Sequence, residues 1–255
     1  MSNLRIIADN AAHRATLAES STAGTLTAAN LLTDIKSDVW RATGTTATLT
    51  LTWTDPELIG GAILPYCNLT SAATMRVRGY TGASDTTPAF DTGWLMACAY
   101  APLGDFEWGM LPLGVNAFAF GGSACARAWC PQTWCRKIII NISDTGNPAG
   151  YIEASRLVSG SYWSPTHNAE YGAPLTPQDD SQHYRNDAGD LMTDSGPRSR
   201  KLPLSLSMMP ASDRTRLMAI LRNNGMPKAM FLSVFPENVD PILEQDYSIY
   251  GKLSA

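Results

Sequence analysis

The sequence predicts a mainly β chain, an antiparallel sandwich followed by a strand–helix–strand ending. Three observations carry this. Apolar and polar residues alternate with period two in "ATLTLTW" and again in "MRVRGY". Clusters of Gly, Pro, Asn and Asp separate such runs. One segment near the C-terminus, "PASDRTRLMAILRNNG", has helical periodicity instead. The 255 residues suit one large domain or two small ones and are enough for a core.

Residues 1–40 read as polar and extended, with a short helical turn around Asn30 to Asp34 and Trp40 closing the segment. The strand from Thr48 to Trp53 places Leu49, Leu51 and Trp53 on one face and threonines on the other. "LIGGAILPYCNLT" leads to a second alternating strand, with Met75, Val77 and Gly79 set against Arg76, Arg78 and Tyr80. Asp85 to Pro88 marks a turn. Residues 89–134 are rich in Gly, Cys and aromatics but poor in periodicity, and are expected to form long, partly buried loops between strands. "KIIINISD" and "YIEASRLVSGSYW" restore strands, with Asp144 and Asn147 to Gly150 as the turn between them. Glu153 and Arg156 are expected on opposite faces of the later strand. A structural strand ending is the first expectation there and a binding edge the second.

Residues 164–201 are polar and sparse in apolar side chains. That is long for an uncovered loop in a compact domain, so a functional arm or a segment ordered by a partner is expected. "KLPLSLSMM" then predicts a strand. The helix after it is expected to be capped by Ser212 or Asp213 and ended by Gly225, with Leu217, Ile220 and Leu221 along one face. "KAMFLSVFP" and "DYSIYGKLS" give two further strands, and no repeat of solenoid period occurs. The expected organisation is a β-sandwich over 1–163 with a Cys/Trp-rich loop insertion, an extended polar arm over 164–201, and a strand–helix–strand element over 202–255.

Charged residues make up only 16% of the chain, against about a quarter in an ordinary soluble domain. Uncharged polar residues must cover the surface, or partners must. The net charge of -4 offers no basic field for nucleic acid, and the one dense basic run, "RSRK" at Arg198 to Lys201, is too short to build on. The N-terminus lacks an apolar core and cleavage box, and no apolar run reaches bilayer length. The expectation is a chain made in a cytoplasm with its five cysteines reduced, and the odd count argues against a disulfide framework.

Cys98, Cys125, Cys130 and Cys135 are four thiols that could hold zinc or an iron–sulfur cluster. Their spacing is not the close pair of a zinc ribbon, and Trp129 and Trp134 precede two of them. Buried bystander thiols are therefore the first expectation and a metal centre the second. His13, His167 and His183 lack a ligand-like partner at helical spacing. Asp105 and Glu107 have no second acid placed opposite, and no nucleophile elbow occurs, so no enzyme is expected. Trp94, Trp108, Trp129 and Trp134, with Tyr100, would stack on pyranose rings if exposed, or fill the core if not. The four tryptophans are the candidate carbohydrate-binding residues.

"AANLLTDIKSDVWRATGTTATLTLTW", "AILPYCNLTSAATMRVRGYT" and "RKIIINISDTGNPAGYIEASRLVSGSYW" together resemble the galactose-binding-like jelly roll, over roughly residues 20–165 and with the Cys-rich stretch as a departure. "KLPLSLSMMPASDRTRLMAILRNNGMPKAMFLSVFPEN" resembles the tail-tube-type ending of tail-tip proteins of long-tailed bacteriophages, the distal-tail and baseplate components. The resemblance implies a virion structural protein, assembled in the host bacterial cytoplasm. It implies a ring of copies at the distal end of the tail tube, contacts with tube and hub proteins, and a part in attachment to host surface glycan. Leu217, Ile220 and Leu221 would line the assembly helix. The alternative is a non-catalytic carbohydrate-binding module, free or carried on a virion.

Overall fold

The computed structural model describes residues 2–100, 124–170, 172–238 and 240–254. The chain begins with β1 (Arg5–Ile7), β2 (Thr16–Glu19), β3 (Trp40–Arg41) and β4 (Thr46–Cys67). β5 (Thr74–Tyr80), β6 (Phe90–Asp91), β7 (Leu95–Met96) and β8 (Ala124–Ser143) follow. Next come β9 (Glu153–Ala154) and β10 (Val158–Gly160), then β11 (Thr176–Asp179), β12 (Gln182–Arg185), β13 (Leu191–Asp194) and β14 (Arg198–Lys201). α1 (Ala211–Asn224), β15 (Met230–Ser233), α2 (Pro241–Asp246) and β16 (Ser248–Gly251) end it. The fold is mainly β, with few helices, and its ladders are antiparallel.

The frame is the β4–β8 ladder, which runs from Thr46 opposite Ser143 to Cys67 opposite Ala124. Its register shifts between Thr52 and Glu57, between Ile59 and Gly61, and between Leu64 and Cys67. Pro56, which has no N–H to give a ladder, falls inside the first shift. Such irregularities bend a ribbon and let its halves serve different layers. The first half of β4 takes β2 on its free edge, with Leu17 opposite Leu51, while the matching half of β8 takes β5, with Val77 opposite Ile140. The second half of β4 takes β10, with Val158 opposite Ile63, and at its end β9, which in turn pairs β3.

Alternation sets the core. Leu49, Leu51 and Trp53 are buried as expected, and they meet Met75 and Val77 of β5 and Ile138, Ile140 and Ile142 of β8. Each such side chain contributes about 1.5–3 kcal/mol on burial. The Asp144 turn is also structural. Its buried carboxylate accepts from the Thr70 amide at 2.9 Å, the Thr70 hydroxyl at 2.6 Å and the Asn147 amide at 3.0 Å. Gly150, at φ +76°, closes that turn in a region disfavoured for other residues.

Several expectations are corrected. Residues 124–134 are not loop but the first half of β8, and Ala124 to Cys130 are buried without interruption. A strand covered on both faces has no period-two signal to read. "KLPLSLSMM" leaves the ladder after Lys201 and runs on as an extended segment, where Leu206 packs against Leu4, Ile6 and Met230. The N-cap of α1 is Pro210, with no side-chain cap. Asp213 instead accepts from the Thr166 amide at 2.7 Å. Gly225 ends the helix at φ +55°.

The 1–163 boundary is crossed by the chain itself. β1 pairs with β15, which pairs with β16, so the N-terminus is built into the C-terminal sheet. Ile6 and Trp163 also exchange backbone hydrogen bonds at 2.9 and 2.8 Å. The arm folds as two ladders, β11 with β14 and β12 with β13, and nearly all its side chains are exposed.

Candidate ligand cleft

The end of β4, the strand β9, the arm strand β14 and the last strand β16 surround a cleft of about 820 Å³. Tyr66 of β4 and Tyr250 of β16 form its aromatic wall, edge to face with centroids 6.2 Å apart. The Tyr66 hydroxyl donates to the Tyr250 carbonyl at 3.3 Å. The Tyr250 hydroxyl donates to Asp34 at 2.7 Å and accepts from Arg156 Nε at 2.9 Å. Burial, reinforced by Asp34, pushes the Tyr250 phenol up, and burial does the same for Tyr66. Both phenols therefore stay protonated as donors.

The polar lining divides into wall and contact groups. The Asn68 side chain is committed to the fold, donating to the Tyr151 carbonyl and accepting from the Glu153 amide. Glu153 is clamped by Arg41 at 2.5 Å. Gln245 accepts from Arg127 at 3.0 Å. Among the described residues the hydroxyls of Ser155, Ser195 and Ser199 have no partner, and they line the cleft beside the cations Lys36, Arg198, Arg200 and Lys252. The cleft can therefore offer hydroxyl and ammonium donors beside an aromatic wall. That donor set suits a hydroxyl-rich ligand.

Among the described residues, the sequence-predicted sugar residues Trp94, Trp129 and Trp134 do not assemble into one site. Trp94 and Trp134 are exposed at 53% and 59%. Trp94 adjoins β7, which pairs with Met75, itself opposite Ile142 on β8. Trp134 lies eight positions from Ile142 on that strand, roughly 25 Å at ~3.3 Å per residue. Trp129 is a correction. It is 6% exposed, packs edge-on to Tyr162 at 5.7 Å, has the Arg5 guanidinium over its ring at 5.0 Å, and donates to Glu244 at 3.0 Å. It is a core anchor with no free face for a sugar. Trp108, Asp105 and Glu107 lie outside the described residues. Of the other proposed binding-edge residues, Glu153 does line the cleft, while Arg156 is buried and bonded to Tyr250 and Thr33.

The thiols are divided between two core clusters. Cys125 packs with Ile63, Trp129 and Phe231, whereas Cys98, Cys130 and Cys135 face the main core. Among the described residues no three His, Cys, Asp or Glu side chains gather as a metal would require. Burial pushes Cys125 and Cys130 up to about 12 and Cys135 up to about 11. Cys98 is raised by its hydrogen bond with Cys67 and then by burial. Leu217, Ile220 and Leu221 of α1 are only half-buried, and Met218 beside them is exposed. No helix among the described residues is long and apolar enough to cross a membrane.

No family model and no curated protein sequence matches the chain. Solved structures resemble it in outline. Chitosan-binding module 1 of a chitosanase/glucanase from Paenibacillus sp. IK-5 is 11% identical, covering 60% of this chain and 99% of that one at a TM-score of 0.40. A Clostridium perfringens module in complex with GalNAc-β-1,3-galactose is 8% identical, covering 60% and 100% at 0.38. A Streptococcus pneumoniae fucose-binding module is 10% identical, covering 61% and 99% at 0.39. At that identity and TM-score the likeness carries no argument about ligand or partner.

Proposed function

We propose that the protein is a non-catalytic glycan-binding module and that the cleft between β4, β9, β14 and β16 is its binding site. The carrying observation is the lining of that cleft. Unpartnered serine hydroxyls and cationic donors stand beside the Tyr66–Tyr250 wall, in a volume within the range of built ligand sites. A hydroxyl-rich ligand such as a sugar suits this combination, because its hydroxyls take hydrogen bonds from such donors while the pair of rings closes one side of the cleft. The purified full chain is tested on a glycan array. Saturable binding to a defined set of oligosaccharides supports the proposal, and binding to none overturns it.

A second reading is favoured by different surfaces. α1 keeps Leu217, Ile220 and Leu221 half-buried, and the arm exposes Tyr184, Leu191 and Met192. Short two-stranded ladders are marginal by themselves, and apolar helix faces are stabilised by packing. In this reading the chain is a structural subunit of a phage tail tip. Its copies form a ring on the tail tube beside tube and hub proteins, it resides in the virion tail, and glycan binding serves attachment. Ring assembly requires contacts between unlike surfaces that close, and the arm and α1 are two such surfaces.

A further inference from the structure

We infer that the β12–β13 hairpin of the arm docks on the exposed face of α1 in a second copy of this chain. This rests on the reading of the chain as an assembling subunit and names its contact, and it does not depend on the glycan cleft. The residues of β12 and β13 are exposed throughout. A two-stranded ladder with neither face covered is marginal in water, so a surface laid on it stabilises it. Tyr184 stands opposite Met192, and the two are 56% and 45% exposed. α1 has the same character. Of its residues only Asn224 is buried, and Met218 is 57% exposed.

Charge pairs the two surfaces. Asp190, Met192 and Asp194 are two apart, so strand alternation puts them on one face of the hairpin, a thioether between two carboxylates. Arg214, Met218 and Arg222 are four apart, so helical spacing sets them in one stripe of α1, a thioether between two guanidiniums. The stripes match in length. Asp190 to Asp194 spans about 13 Å at ~3.3 Å per residue. Arg214 to Arg222 spans about 12 Å at ~1.5 Å per residue. Laid together, they oppose a carboxylate to a guanidinium at each end and cover Tyr184, Met192 and Met218 between. Asp190 accepts from the neutral Asn186 amide at 3.1 Å, and Arg214 donates to the Met209 carbonyl at 3.0 Å. Among the described residues no group of opposite charge lies at ion-pair distance from any of the four.

The occupant of α1 is the arm of another copy and not the chain's own. The base of the arm is held beside β16 by the β11–β14 ladder and by Arg200, which donates to the Asp246 and Ser248 carbonyls, both at 3.1 Å. With the base so placed, Tyr184, Met192 and Met218 all stay exposed. The surroundings carry the same signs. Asp180 and Asp187 flank the hairpin strands, while Arg216 and Lys228 lie along and just beyond α1. Arg185 lies on the other face of the hairpin, opposite Leu191, and Asp213 is engaged by the Thr166 amide at 2.7 Å. Each copy carries one arm and one α1, so the contact joins unlike surfaces and repeats from copy to copy.

The test measures association of the full chain by light scattering and sedimentation over a range of concentrations. An arm variant carries Asp190→Lys with Asp194→Lys, a helix variant carries Arg214→Glu with Arg222→Glu, and the control is Arg136→Glu on β8, all at exposed positions. Expected are association of the wild type, a weakening of about tenfold or more in each charge-reversed variant, and none in the control. An equimolar mixture of the arm and helix variants should recover association, because every junction then again pairs opposite charges. Met192→Gln and Met218→Gln, which leave all charges in place, should each weaken association about threefold or more, and they carry the test if a charge-reversed variant does not fold. Unchanged association in the arm and helix variants would overturn this contact and leave the assembly reading standing. Loss in both without recovery on mixing would overturn the pairing of arm with α1. A wild type that stays monomeric up to about 1 mM would overturn both the contact and the assembly reading.

Discussion

The Arg127 guanidinium and the Glu244 carboxylate meet at 3.0 Å with each side chain 7% exposed, and Trp129 donates to the same carboxylate at 3.0 Å. Arg127 also donates to Gln245 and to the Pro241 carbonyl. Through this network β8 of the sandwich holds α2 of the C-terminal unit, and with it the β16 wall of the cleft. Removing one partner leaves a buried charge without an answer. Glu244→Ala is expected to cost about 3–5 kcal/mol, read as a lowered midpoint in urea. The double variant Arg127→Met with Glu244→Leu should recover most of that loss, because neither charge then remains buried. No recovery would mean that the network is needed for more than charge balance.

A second contact lies within the sandwich, at His13. Its Nε2 lies 2.6 Å from Arg156 Nη2, so the neutral ring must accept from the guanidinium. Burial lowers the His13 pKa first, and Arg156 and Arg14 add to this, while Asp34 and Asp9 oppose it. With the folded value below the ordinary 6.5, this contribution to stability is present above about pH 6.5 and is lost as pH falls through the folded value. The thermal midpoint should therefore drop between pH 7.5 and pH 5.5, and less so in His13→Gln. Identical slopes for the two proteins would rule out this link as the source.

The described cysteines should be silent in the folded protein. Cys125 and Cys130 at about 12, against an ordinary 9, imply about a thousandfold less thiolate at neutral pH. All five thiols are buried. A thiol-specific chromogenic reagent at pH 8 should react slowly with native protein and with five groups once guanidinium is added. Rapid reaction of two or more thiols in the native state would contradict this packing.

The α1 face gives the prediction for assembly. Leu217→Glu and Ile220→Glu sit at half-buried positions and should change monomer stability by about 1 kcal/mol or less. They should lower the mass reached at high concentration in light scattering if α1 is a contact between copies. Unchanged mass in both variants, alongside a wild-type oligomer, would remove α1 from the assembly surface.

What could be read in advance followed from solvent. β4 and β5 each have a face that is not fully covered, so Leu49, Leu51, Met75 and Val77 alternate with polar neighbours and announce strands. Ala124 to Cys130 are covered throughout, so alternation vanished and a strand read as loop. The cleft was harder still. Lys36, Tyr66, Ser155, Ser199 and Tyr250 lie far apart in the chain, and only tertiary folding brings them together. One local signal existed. "RSRK", too short to argue from alone, supplies Arg198, Ser199 and Arg200 to the cleft. The tryptophans misled because a ring that could stack on a sugar is, at Trp129, equally suited to bury against Phe231 and Tyr162.

The most direct measurement of the central claim is where a bound glycan lies. Amide and indole signals of the labelled protein would be followed by NMR while an oligosaccharide selected on the array is added. The account predicts shifts at Tyr66, Ser155, Ser199 and Tyr250, with the Trp94 and Trp134 indoles unmoved. Shifts at either exposed indole, with the cleft silent, would contradict it and place the sugar on the tryptophan surface instead.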